Sequence, residues 1–423
     1  MLRVYNTMAR RRELFLPRFP PVVKFFSCGP SIYQRPHLGN YRTFLYEDVL
    51  ERYLEYLGYR VERVLPFTDV EDKAIAQAEK EGVTLSELTD RVAGEFLAEA
   101  RLLRVKPPTW NPRSSTTVEH TVEIIERLLR KGVAYRFGPD IFFDPLKFPR
   151  FGKLFRLDMT RWPRTRRRFR KDTYPGVQWN YGDFILWHGA RRGETAVWDT
   201  RIGRGRPSWN VQDPAMAIPL LGPSLDIHAG GIDNLWRHHD YNLAVAESFT
   251  GREYARYWMH GEHLLIGGKK MSKSRGNIVY LSDLTSDGCT PEEVRFFLIY
   301  GHYRDRMNMT RENLEMAQEV LRELRTLAGQ VAAGAGNPTE TGPAGKPASP
   351  DLEERFRERM DDDLDVKGAV DGIAGSLQEL AARRRRGTLA PEEAAAALTT
   401  LHRIDQVFQV IFPLDQTASS GNR

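Results

Sequence analysis

Two short segments of the 423-residue chain carry side chains that could handle phosphate. In Pro36-His37-Leu38-Gly39-Asn40, an imidazole and a carboxamide stand three residues apart around a glycine. Both side chains can donate to triphosphate oxygens, and Gly39 clears the backbone for a base or ribose. In Lys269-Lys270-Met271-Ser272-Lys273-Ser274, ammonium and hydroxyl groups share one loop, after Gly267-Gly268 and before Arg275-Gly276-Asn277. Such a loop suits a pyrophosphate leaving group, whose charge grows in the transition state. Each segment taken alone also reads as an ordinary loop, since H-x-G-N recurs by chance and cationic loops are commonly just solvated.

The elements around the first segment are the ones a phosphate site needs. VVKFFSCGPSIY (22–33) is a buried strand running into a turn, Thr43–Leu57 has amphipathic helical spacing with Gly58 to cap it, and Tyr59–Phe67 alternates like a strand. A strand–helix–strand unit of this length predicts the opening of a doubly wound parallel sheet, so the expected class is α/β, Rossmann-type. His37 then falls between the carboxyl end of a strand and a helix N-terminus, where anions bind. Helical patterns follow at about 71–103 and 116–131. Short strands from Phe137 to Phe155, followed by Arg161–Lys171, read as an insertion spanning about 137–205. The α/β pattern resumes with a strand at Leu225–Ile232, a helix near 238–249 and a strand near 259–266, closing a catalytic domain over 1–309. Thr310–Leu327 reads as a helix. Residues 328–350 read as a flexible linker, and helices at 351–382 and 391–411 complete a C-terminal helical bundle over 310–412, with a disordered tail at 413–423.

Composition bounds these readings. Apolar residues make up 41% and charged residues 28%, which excludes collagen-like, coiled-coil and wholly disordered chains. The net charge of +6 is concentrated: Arg161–Lys171 holds seven basic residues and Arg383–Arg386 four, and the rest of the chain is net −5. A local positive field points to a site-specific anionic partner. No run approaches the roughly 18–20 apolar residues of a membrane span. With no signal-peptide pattern at the N-terminus, no membrane partner and a cytoplasmic location are expected. Cys28 and Cys289 are read as reduced thiols.

Taken together and in order, the two phosphate-handling segments resemble the HIGH and KMSKS signatures of class I aminoacyl-tRNA synthetases. Five further segments are similar to cysteinyl-tRNA synthetases: Ser27–Tyr33 (SCGPSIY), Phe67–Lys73 (FTDVEDK), Gly205–Trp209 (GRPSW), Leu225–Asp233 (LDIHAGGID) and Gly301–Arg304 (GHYR). Met360–Asp365 (MDDDLD) resembles the start of that family's helical bundle. The resemblance implies a Rossmann-type domain in which an amino-acid carboxylate attacks the α-phosphate of ATP, with Mg2+, to form an aminoacyl adenylate. It implies catalytic roles for His37, Asn40, Lys270 and Lys273, and ATP binding by Gly39, His228, Gly230, Gly231, Asp233 and Ser272. Cys28, Gly29, Thr68, Trp209 and Asp213 would surround the amino acid.

Departures from the pattern carry their own expectations. The family's zinc site uses two Cys, a His and a Glu, and the matching positions here are Cys28, Asp213, His238 and Asn242. Cys28, Asp213 and His238 could still hold Zn2+, more weakly. The rival readings are that the metal is gone and Asp213 meets a polar or cationic group on another amino acid, or that Asp213 simply pairs with a nearby Arg. Asn40 in place of the second HIGH histidine keeps a donor. The family continues past the bundle into an anticodon-binding domain, whereas here only Pro413–Arg423 follow. The mycothiol-pathway cysteine ligase also stops there, and Ala246–Gly251 (AESFTG) is similar to it. The expectation is therefore a stand-alone ligase passing an activated amino acid, not necessarily cysteine, to a small-molecule amine. The alternatives are a tRNA-charging enzyme that uses the Arg-rich insertion, with Trp162 and Phe169 to stack on bases, and an inactive paralogue that acts as a binding protein.

Overall fold

The computed structural model describes residues 1–159, 182–335 and 349–413. The Arg-rich run 161–171 lies outside them, as do most of the expected linker (336–348) and the tail from 414. The centre is a four-stranded parallel sheet. Strand β1 (Val22–Ser27) leads through helix α1 (Leu38–Tyr56) to β2 (Arg60–Val64), which pairs with it in parallel. Later in the chain come α2 (Trp209–Leu221), β3 (Leu225–Gly231), α3 (Asp240–Thr250) and β4 (Ala255–Gly261). The sheet order is β4-β3-β1-β2, so β3 returns to the side of β1 opposite β2. That reversal opens a crevice at the carboxyl ends of β1 and β3, the place where open α/β sheets bind ligands.

Alternating side chains sort onto two cores because each face of the sheet is covered by helices. Val23, Phe25, Ile227, Ala229 and Met259 pack with Tyr41, Leu45 and Val49 of α1. Phe26, Val64, Leu225 and Trp258 pack on the other face with Val211 and Ala215 of α2 and Ala244 of α3. Phe25 and Phe26 are both fully buried on opposite faces, each worth roughly 1.5–3 kcal/mol of apolar burial.

Several expected elements are redrawn. The pattern at 71–103 is two helices, Asp72–Glu81 and Leu85–Leu102, because Gly82 takes φ +68° and Thr84 with Glu87 forms a capping box. The strand expected near 259–266 is split: Leu264–Ile266 leaves β4 for a separate three-stranded sheet. The inserted antiparallel sheet opens earlier than expected, with Ala134–Phe137, Asp140–Phe143, Phe184–Gly189 and Gly205–Pro207 in that order. The helix after Thr310 runs on to Ala332, so the expected linker cannot begin at 328. The helix expected over 351–382 divides into Pro350–Met360 and Val366–Arg385, because Asp363 and Leu364 adopt φ near +60° between them.

That break fastens the helical bundle to the sheet domain. The buried Asp363 carboxylate accepts from Tyr5 N–H at 2.7 Å, Tyr303 Oη at 2.8 Å and Arg304 Nε at 2.7 Å. Two segments quoted for the resemblance, 301–304 and 360–365, therefore grip one another. A second tie runs through the fully buried Arg295, which pairs with Asp48 of α1 at 2.6 Å and donates from Nε to the Phe408 carbonyl of the bundle at 2.7 Å, while Arg52 also meets Asp48 at 2.9 Å. Arg383 pairs with Glu393, and Arg384 and Arg385 donate to Gln330, so three of the four clustered C-terminal cations bridge helices. Among the described residues, no helix is long and apolar enough to cross a membrane.

Candidate active site

Helix α1 begins at the crevice with His37 as its N-cap. The His37 N–H donates to Asn40 Oδ1 at 3.0 Å, so Asn40 secures the first turn and presents its amide there. Burial lowers the His37 pKa below the usual imidazole value, which favours the neutral ring near pH 7. A Cβ on Gly39 would lie 2.8 Å from Met271 Cε and 3.1 Å from the His37 ring. The bare glycine lets two segments about 230 residues apart in sequence pack together at that point. Leu38 N–H donates to Val279 O at 3.0 Å and adds a second link just beyond the lysine loop.

The lysine loop is braced by the residues that follow it. Arg275 Nη1 and Asn277 Nδ2 donate to the Lys270 carbonyl at 3.1 and 3.3 Å, and Ser272 N–H donates to Asn277 Oδ1 at 2.9 Å. Lys270 Nζ reaches Asp233 Oδ2 at 3.2 Å and His263 Nε2 at 3.4 Å, which aims the ammonium across the crevice. Lys273 begins a short 3-10 turn, and its side chain lies outside the described residues.

A cavity of about 370 Å³ joins these parts. Cys28, Gly29, His37, Gly39, Asn40, Gly231, Asp233 and Lys270 all line it. Other expected site residues stand elsewhere. His228 is fully buried, stacked 4.4 Å from Trp258 and tilted against Phe26 at 4.9 Å, because strand alternation turns it to the face away from α1. Gly230 lies beneath the crevice, where a Cβ would come 2.8 Å from His239. Thr68 acts through its backbone: its N–H donates to Pro30 O and its carbonyl accepts from Ile32 N–H, which shapes the loop after β1. Ser272 is half-buried in the braced loop and does not line the cavity.

The end of the crevice near β1 carries a polar cluster. Cys28 Sγ accepts from Asn234 Nδ2 at 3.3 Å, and burial, then the charges of Asp213 and Glu47, push the thiol pKa well up. Asp213 Oδ2 meets His238 Nε2 at 2.8 Å and Asn242 Nδ2 at 2.7 Å, so its partners here are a histidine and an amide and not the Arg of one rival reading. Trp209, 43% exposed, stacks on the His238 ring at 4.6 Å. A neighbouring cavity of about 430 Å³ begins at Trp209 and includes Lys73, Arg206 and Asn234. Among the described residues, the metal-capable donor atoms that converge within 4.8 Å of one another are those of Cys28, His238 and His239. A thiol with two imidazoles suits Zn2+. Asp213, expected as a ligand, is not in that group, and His239, next to His238 in sequence, is.

Comparison with known proteins agrees with this geometry. The family described as tRNA synthetases class I (C) catalytic domain matches residues 17–319. The cysteine–tRNA ligase of Chlamydia pneumoniae is 36% identical over 415 residues, covering 97% of this chain and 86% of that protein. The cysteine–tRNA ligase of Brevibacillus brevis is 36% identical over 414 residues, covering 96% and 86%. Among solved structures, Mycobacterium tuberculosis methionyl-tRNA synthetase bound by methionyl-adenylate superposes with TM-score 0.66 at 17% identity, over 92% of each chain. A leucyl enzyme of Agrobacterium radiobacter gives 0.64 at 11%, over 94% of this chain and 85% of that one. The chain belongs to the class I tRNA synthetases, in their cysteinyl branch, and is a ligase of the aminoacyl-tRNA synthetase type.

Proposed function

We propose that the protein activates cysteine with ATP and transfers it to tRNA. The observation that carries the adenylation step is the contact of Gly39 with Met271, which closes both phosphate-handling segments over one cavity. In this reading a carboxylate oxygen of the amino acid attacks the α-phosphorus of ATP, and the bond to the β-phosphate oxygen breaks, releasing pyrophosphate. His37 and the Asn40 side-chain amide meet the phosphates, with the Mg2+ that accompanies ATP. Lys270 and the loop around Ser272 and Lys273 take up the charge growing on pyrophosphate. A ribose hydroxyl at the tRNA end then attacks the carbonyl carbon of the adenylate and AMP leaves. No protein nucleophile is needed; positioning and charge supply the rate.

Cysteine is assigned from the names of the relatives and from the thiol–imidazole corner beside the cavity. Zn2+, held there by Cys28 and histidine, would offer a soft electrophile to a substrate sulfur. Transfer to tRNA is preferred to the small-molecule amine expected from sequence because the curated relatives compared above are tRNA ligases. The test is ATP–pyrophosphate exchange with each amino acid, followed by transfer with and without tRNA. Cysteine-dependent exchange and tRNA-dependent product are expected. Exchange with no amino acid would end the proposal, and transfer to an amino sugar but not to tRNA would replace the acceptor.

A further inference from the structure

We infer that His239, rather than Asp213, joins Cys28 and His238 as a zinc ligand of this chain, and that Asp213 and His260 stand one step back, each holding a ligating imidazole. Three observations converge on this assignment. Cys28 Sγ and one ring nitrogen each of His238 and His239 lie within 4.8 Å of one another, and all three residues are buried. His238 Nδ1 and His239 Nε2 are buried atoms without a hydrogen-bond partner, and an orphaned ring nitrogen in a protein interior calls for an explanation such as an ion. The opposite nitrogen of each ring is held: His238 Nε2 by Asp213 at 2.8 Å, and His239 Nδ1 by His260 at 2.8 Å. His260 is held in turn by Thr7 Oγ1 at 2.8 Å. One nitrogen for the metal and the other fixed by a neighbour is how ligating histidines are oriented.

The room between the ligands is kept open by a glycine. A Cβ on Gly230 would lie 3.1 Å from His239 Nε2 and 3.1 Å from Cys28 Cβ, so this position separates the two groups and must stay bare. Asp213 does not fall within that group, and its Oδ2 already serves His238 and Asn242. One thiolate and two neutral imidazoles would give three protein ligands, the number found in open zinc sites, and Cys28 lines the cavity. Binding releases the Cys28 proton.

The inference rests on the metal-bearing part of the functional proposal and is tested without turnover, so the two can fail separately. The full-length protein is stripped with chelator and reloaded with zinc, or with cobalt(II) as a spectroscopic probe. Bound metal per chain, the thiolate-to-cobalt absorption and the thermal midpoint are then measured. One equivalent is expected, together with a charge-transfer band that Cys28→Ser abolishes and a midpoint raised by metal. His239→Gln should lose stoichiometric metal, while Asp213→Asn should keep one equivalent at roughly 10–100-fold weaker affinity. If His239→Gln proves unfolded, the near-isosteric Cys28→Ser decides by itself whether the thiol ligates. A folded wild type that takes up no metal overturns the inference even if exchange activity is intact. Loss of metal in Asp213→Asn with retention in His239→Gln overturns it as well.

Discussion

At the scale of single residues, the site turns on what cannot be added as much as on what is present. Gly39→Ala would place a methyl 2.8 Å from Met271 Cε and 3.1 Å from His37. The side chain of Met271 can swing away, but the loop then loses its seat. We expect pyrophosphate exchange to fall by about 10²-fold, as displacements near 1 Å cost in other enzymes, with the thermal midpoint almost unmoved. Lys270→Ala removes the cation aimed past Asp233, and the expected loss is about 10²–10³-fold in kcat for exchange, the scale of removing one preorganised donor. A loss confined to the KM for ATP would show instead that Lys270 binds the ground state only. Much of this was legible from residue types: His37, Gly39, Asn40, Asp233 and Lys270 do line one cavity. His228 was misplaced because a motif was followed where strand alternation should have been. Its neighbours Ile227 and Ala229 belong to the α1 core, which sends His228 to the opposite face.

Among elements, α1 both presents the site and anchors the molecule through a buried carboxylate. Burial raises the Asp48 pKa, but the Arg295 and Arg52 guanidiniums more than offset this and hold it at about 2, against an ordinary 3.8. A carboxyl depressed in the folded state contributes stability that is complete above the unfolded value and is lost as pH falls through the folded one. The window for Asp48 is therefore roughly pH 4 down to 2, and its contribution is about 2 kcal/mol. Asp48→Asn should flatten acid unfolding in that window, measured by circular dichroism against pH. At neutral pH it should cost about 3–5 kcal/mol, because Arg295 is left fully buried without its counter-ion. An unchanged acid profile would remove Asp48 from the explanation. The β1–α1–β2 unit was readable from periodicity because its apolar residues must satisfy two covered faces. The break at Gly82–Thr84 is also written in the sequence, as a glycine and a capping box, inside a helical pattern that spans about 71–103. The break at Asp363 had no such local sign. Its carboxylate is held by Tyr5, Tyr303 and Arg304, none of which is near in sequence.

For the whole molecule, Asp363 is where the N-terminal strand Arg3–Asn6, the end of the sheet domain and the helical bundle are joined. Asp363→Asn keeps a residue that tolerates φ +62° but leaves Arg304 without a buried anion. We expect a loss of about 3 kcal/mol, seen as a thermal midpoint several degrees lower, with faster proteolysis at the junction of 301–304 and 360–365. Equal midpoints would show that the bundle is held by apolar packing alone. The same joint sets an order on the birth of the protein. Tyr5 is bonded to a residue 358 positions later. At ribosomal rates of about 5–20 residues per second, Tyr5 emerges roughly 20–70 s before its partner exists. Over that interval the early strand can rest only on nascent neighbours or on a chaperone, and the active site, complete in its residues by Lys273, waits on the bundle before its scaffold can lock.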